Sequence, residues 1–189
     1  GVDLRAFARA GAQALWHGRV VSGGSTLTMQ VARLLEDSGT GKLSGKLRQI
    51  RVALALERRL TKDDILALYL RLAPYGGNVE GARAASLTWF GKEPRRLTPA
   101  EAALLVALPQ SPETRRPDRF AGAAEAARNR VLARMVRQGL IDPDKARAAE
   151  TEPVPAARRD FPAMAPHLAQ RLRTEAPLTA LHLTTINAA

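Results

Sequence analysis

VVSGGSTLTMQ, residues Val20 to Gln30, is the stretch on which the reading of this chain turns. Two β-branched residues lead into Ser22-Gly23-Gly24, and glycine tolerates positive φ and close approach of other groups to the backbone. Ser25 stands where a helix N-cap belongs, and Thr26 to Asp37 reads as the helix. A Ser cap ahead of unsatisfied helix-start N–H groups is suited to receive an anion. Thr26, Gln30 and Arg33 share one face at i, i+4 and i+7, while Leu27, Val31, Leu34 and Leu35 share another. The polar face therefore offers hydroxyl, amide and guanidinium groups, all suited to phosphate or sugar. The same spacing also fits an ordinary capped amphipathic helix with no ligand.

Working outward, 189 residues are enough for one domain with a sizeable core, and 46% hydrophobic content marks the chain as globular. Aromatic residues make up only 4%, and Ala and Leu dominate, which favours helix over sheet. Lys and Arg number 29 against 18 Asp and Glu, a formal +11. Such a surplus suits a polyanion: nucleic acid, anionic lipid or a phosphorylated substrate. A nucleic-acid binder should gather its cations on one helix and add aromatic stacking, and neither pattern is visible. No Cys is present, so disulfides and Cys-based metal sites are excluded. No apolar run approaches the ~20 residues of a membrane-spanning helix.

Upstream of the central stretch, Asp3 fits as the cap of a helix running to about Trp16, with Gly18 closing it. His17, His167 and His182 read as cap, surface or strand residues. Downstream, Asp37 to Gly45 is rich in Gly and Ser and reads as a loop. The next helix, Lys46 to Leu60, carries Leu47, Ile50, Val52, Ala53, Leu54 and Leu56 on one broad arc. Lys46, Gln49 and Glu57 fall inside that arc. Polar groups in a buried stripe are costly unless they are paired or line a cleft. Lys46 could equally snorkel to water, with Glu57 paired to a neighbouring Arg.

Thr61 caps a helix whose first turn holds Asp63 and Asp64 and whose core face is Ile65, Leu66, Leu68, Tyr69 and Leu72. Pro74 stops it, and Tyr75-Gly76-Gly77-Asn78 is a turn. Helices are expected over Glu80–Phe90, after the Thr98-Pro99-Ala100-Glu101 start, over Phe120–Gln138 and from Asp142-Pro143. Pro109 ends the second of these, and Ser111 to Pro117 is a loop. From about Glu152, Pro153, Pro155, Pro162 and Pro166 give linker-like text. Leu178 to Ile186 carries a strand signal without a partner strand.

At this point a resemblance emerges. GGSTLTMQ at Gly23–Gln30 resembles the GGST(I/L)TQQ signature of glycosyltransferase family 51, the peptidoglycan glycosyltransferase domains of class A penicillin-binding proteins. Gly45-Lys46-Leu47-Arg48-Gln49 falls at that family's RKxxE motif. ILALYLRLAPYGG (65–77), GARAASLTWFGK (81–92), LTPAEAALLVALPQSP (97–112) and AARNRVLARMVRQGLI (126–141) resemble its later motifs, in order. Met29, Gln49 and RLAPYGG are nearer to the family's 1C branch.

The resemblance implies an all-α, lysozyme-like glycosyltransferase domain over 1–151. Residues 152–189 would then be a linker and the start of a transpeptidase domain. It implies polymerisation of lipid II into glycan strands, with inversion and loss of undecaprenyl pyrophosphate. Lys46 and Arg48 match positions suited to the pyrophosphate. Gly24, Ser25, Thr26, Thr28 and Gln30 match the signature lining the donor cleft. No cofactor is required, although magnesium can assist in the family. The implied partners are lipid II, the growing strand, the membrane surface and other cell-wall synthesis proteins, with no nucleic acid. The implied place is the periplasmic face of the bacterial inner membrane, with an anchoring helix elsewhere in the parent chain.

Three departures stand out. The family's general base is a Glu in an ED…F…HxGxD motif, of which only Gly1-Val2-Asp3 matches the tail, so the base is expected upstream. This opens an alternative, a catalytically inactive lipid II-binding or scaffold fragment. The Glu closing RKxxE is Gln49, which keeps hydrogen bonding without charge and so should orient rather than transfer protons. Arg71 replaces an Asn and adds a positive charge near the expected cleft. Glu57 lies about 16 Å from Lys46 along a helix axis. By that spacing it is not expected to reach the same centre.

Overall fold

The structure, a computed structural model, describes residues 25–36, 43–160 and 166–175. Among these it is built of helices, with only an isolated bridge between Pro74 and Glu80 in place of any strand. α1 spans Leu27–Glu36, α2 Leu43–Arg59, α3 Lys62–Leu72 and α4 Ala82–Phe90. A 3-10 turn at Pro94–Arg96 leads to α5 (Pro99–Ala107), and a second at Leu108–Gln110 precedes α6 (Ala121–Arg137). α7 is Pro143–Glu150 and α8 is Pro166–Glu175. The all-α expectation is met. The helix expected over 3–16, the strand expected over 178–186 and Gly24 lie outside the described residues.

Local chemistry sets the helix starts. Thr61 accepts from the Asp64 N–H while Asp64 bonds back to the Thr61 N–H, and Thr98 and Glu101 do the same for α5. Asp142 caps α7, with Pro143 at its first position. One cap differs from expectation. α1 begins at Leu27, and the Thr26 hydroxyl accepts from the Met29 N–H, so Thr26 is the cap rather than Ser25. A threonine one residue further on satisfies the same orphan donor, which frees Ser25 for a different bond. α2 also begins three residues earlier than expected, at Leu43.

The main core gathers around Tyr75, Trp89, Leu104 and Leu108, each at most 2% exposed. A second cluster ties α5, α6 and α7 through Ala100, Ala103, Leu132 and Ala149. Tyr75 reaches the first through a turn that needs glycine. Gly76 has φ +91, and a Cβ there would fall 2.7 Å from both the Pro112 carbonyl and the Arg116 Cγ. Arg116 is itself buried, gripping Asp118 through Nε and Nη2.

α1 packs on α2 through a small third cluster of Met29, Ala32 and Ala53. Here the expected faces need correcting. The buried side of α1 is Thr28, Met29, Val31 and Ala32, while Leu35 is 49% exposed. On α2, Leu47 and Leu54 face water, as does Leu66 on α3. Periodicity identifies residues that share a face, but the neighbouring helix chooses how much of that face it covers.

The stretch after α7, read as linker-like, lies along the helical body. Glu152 accepts from the Thr98 hydroxyl, Val154 packs on the main core, and the Arg159 N–H donates to the Thr88 carbonyl. Arg128, only 3% exposed, donates from its two terminal nitrogens to the Glu150 and Glu152 carbonyls and so closes the end of α7.

Candidate functional site

Of the residues expected to form a site, Ser25 and Lys46 meet where the chain enters α1 beside α2. Lys46 lies in the second turn of α2 and donates from Nζ to the Ser25 Oγ at 2.5 Å. Burial, and then the positive charge of Arg33, hold the Lys46 ammonium below its ordinary pKa. The attraction of an anion bound beside Lys46 would offset both effects. One turn further along α2, Gln49 is 6% exposed beside the Met29–Ala53 contact. A neutral amide can be buried there at far lower cost than a carboxylate.

Glu57 meets α1 at Thr28, three residues beyond the Ser25 that Lys46 meets. The Thr28 hydroxyl donates to Glu57 Oε1 at 2.6 Å, and Lys62 Nζ donates to the same oxygen at 2.7 Å. Lys62, with help from Thr28, keeps the Glu57 carboxyl below its usual range. Lys46 at one end of α2 and Glu57 near the other therefore both reach the opening turn of α1. Glu57 buttresses Thr28 and, being so readily ionised, is a weak proton acceptor.

The expected site residues are therefore only partly brought together. Ser25, Lys46 and the Thr26 cap converge. Thr28, matched to the cleft lining, is 3% exposed and engaged by Glu57, so it supports the cleft from beneath. Arg48 does not join Lys46. Two residues along a helix point to nearly opposite sides, and its Nε pairs with Glu36 at 3.1 Å on an outer groove shared with the exposed Leu47. Arg71 is exposed in the last turn of α3, where it complements the helix dipole. Among the described residues there is no group of three or more His, Asp or Glu that could hold a metal ion. No described helix is long and apolar enough to cross a membrane.

Sequence reasoning missed a second feature. Gln30, on the same face of α1 as Thr26, opens into a cavity of about 610 Å³ between α3, α5 and α6. Tyr69, Arg115, Arg130, Arg134 and Arg137 line it, and among the described residues no acidic one does. Arg115 is held in place by the Ala107 carbonyl and the Gln110 amide oxygen, both at 2.8 Å. The i, i+4, i+7 spacing of Arg130, Arg134 and Arg137 was available in the sequence. The element facing them was not.

The family model described as Transglycosylase matches residues 1–136. The chain belongs to the transglycosylase family. Penicillin-binding protein 1C of Escherichia coli (strain K12) is 50% identical to this transglycosylase chain over 166 residues, 88% of it and 21% of the relative. Penicillin-binding protein 1A of Pseudomonas aeruginosa is 37% identical over 177 residues, 93% of this chain and 22% of that one. A crystal structure of penicillin-binding protein 1A from Haemophilus influenzae aligns with a TM-score of 0.49 at 28% identity, covering 80% of this chain and 19% of that one. The transglycosylase chain thus spans about a fifth of the length of the curated relatives it matches.

Proposed function

We propose that this chain is the glycosyl-transfer unit of a class A penicillin-binding protein, and that the full-length protein polymerises lipid II at the periplasmic face of the inner membrane. The observation that carries this reading is the Lys46–Ser25 pair at the head of α1, in a chain of the transglycosylase family. Inverting transfer requires the acceptor's sugar hydroxyl, giving up its proton to a general base, to attack the donor's anomeric carbon as the bond to the lipid pyrophosphate breaks. The leaving group gains negative charge in the transition state. Cations and N–H dipoles already in place stabilise it without reorganising. Lys46 supplies the cation, Ser25 a hydroxyl, and the start of α1 the dipole. Gln49 fixes the neighbouring geometry. Arg48, turned towards Glu36, attracts the anionic substrate at longer range. Any magnesium would be held mainly by the substrate's own pyrophosphate oxygens.

The test is a glycan-chain gel assay on lipid II with the full-length protein. Lys46→Ala should slow polymerisation by about 10²-fold or more, the scale for one lost transition-state contact. Lys145→Ala, exposed on α7, should leave the rate unchanged. Equal rates for the parent and Lys46→Ala would remove Lys46 from the reaction.

A further inference from the structure

The cationic groups around α1 form a path with two ends. At one end Lys46 meets Ser25. Arg33 lies between the ends on the Thr26–Gln30 face, and its charge is felt by both Lys46 and Tyr69. At the other end is the arginine-lined cavity, which Gln30 and Tyr69 both border. Gln30 is five residues beyond Ser25, roughly 7–8 Å of helix rise. One extended ligand can therefore touch both ends.

We propose that the cavity is a second anion subsite and that it takes the carboxylates of the substrate's peptide; this rests on lipid II being the substrate. Three observations support it. Every cation lining the cavity is an arginine, whose planar fork grips a carboxylate through two parallel bonds. Arg115 is already oriented by the Ala107 carbonyl and Gln110, so little freedom is lost when a ligand meets it. Arg115 is also disfavoured as a cation, first by burial and then by Arg130, and the charge of an incoming carboxylate offsets both effects. The lipid's pyrophosphate belongs with Lys46, so the anions left for this end of the path are those of the peptide. Arg130 and Arg134, one turn apart on α6, are the residues that choose between substrates with and without acidic peptide groups.

Two probes separate this inference from the reading it rests on. One is a soluble disaccharide-peptide with neither lipid nor pyrophosphate. The other is a neutral vesicle carrying the pyrophosphoryl lipid with a peptide-free disaccharide. Binding is measured on the full-length protein and two variants. The Arg130→Gln/Arg134→Gln variant should bind the soluble disaccharide-peptide about tenfold more weakly, the scale of one lost charge-assisted bond. It should bind the peptide-free lipid as the parent does. Lys46→Ala should show the converse. If the double variant binds the disaccharide-peptide as tightly as the parent, or loses both probes equally, the subsite is wrong and only diffuse charge acts. If Lys46→Ala leaves the peptide-free lipid bound as before, the assignment of Lys46 to the pyrophosphate fails, while the disaccharide-peptide comparison still reads the cavity. Both variants alter surface side chains, so unchanged circular dichroism melting is expected and checks that folding is intact.

Discussion

The α1–α2 pair and the α4–α7 body are held together differently. The body buries Trp89, Tyr75, Leu104, Leu108 and Leu132 almost completely. The α1–α2 contact rests on Met29, Ala32 and Ala53, with Thr28 and Gln49 buried among them. Small apolar groups and satisfied polar ones contribute less hydrophobic free energy per residue than large apolar side chains do. Among the described residues, the half that holds Ser25 and Lys46 thus buries fewer large side chains than the half without them. Binding elements are commonly drawn from the low-stability end of a fold, because closing on a ligand requires some freedom to move.

The comparison breaks first if the body can lose its largest side chain. Trp89→Ala should cost about 3–5 kcal/mol of unfolding free energy, as for other buried aromatic truncations. Urea denaturation followed by circular dichroism reads this directly, and a loss below 1 kcal/mol would mean that stability is spread evenly over both halves.

A middle-sized effect is expected at Gln49. Gln49→Leu should cost about 1–3 kcal/mol by stranding a buried polar neighbour. Amide exchange should show that loss confined to α1 and α2, with α5 and α6 keeping their protection. Gln49→Glu should keep the fold and support polymerisation, because Lys46 stands one turn away on the same side of α2. Loss of protection throughout the molecule would show that the two halves unfold as one unit.

The smallest effect is at Glu57. Its folded pKa is depressed, so its contribution is fully present above the ordinary Glu value of about 4.3 and is lost as pH falls below that towards the folded pKa. The Lys62 partner is well exposed and screened by water, so the pair contributes little. An acid titration of the parent against Glu57→Gln should therefore converge at low pH and separate above it. Curves that stay parallel through pH 4 would exclude Glu57 as a tie between α1, α2 and α3.

The same contrast explains what could be read in advance. Thr61, Thr98 and Asp142 were legible as caps because the capping bond is local in sequence. Lys46 and Gln49 were legible as polar residues inside an apolar arc. Thr26 in place of Ser25 was not, since either hydroxyl can satisfy the same N–H. The separation of Arg48 from Lys46 was legible too, since residues two apart on a helix face nearly opposite ways; the meeting of Glu57 with Thr28 was not, because it depends on how α1 packs on α2. The buried Arg116 and Arg128 were hidden for a related reason. An arginine is charged in sequence, and its burial becomes affordable only when Asp118, or the carbonyls at the end of α7, arrive from elsewhere to meet it. The arginine cavity has the same cause, since its walls come from separate helices.

The path of the chain after α7 has a mechanical consequence. Thr98 holds Glu152, Arg128 holds the carbonyls on either side of Thr151, and Thr88 holds the Arg159 N–H beside Trp89, whose ring lies under Arg158. These attachments follow one another along about ten residues and end on the best-packed part of the molecule. Tension drawn on the polypeptide past residue 160 would be taken up there, as a cable clamp takes load ahead of a connector, and would be spent before it reached the lightly packed turn that carries Ser25.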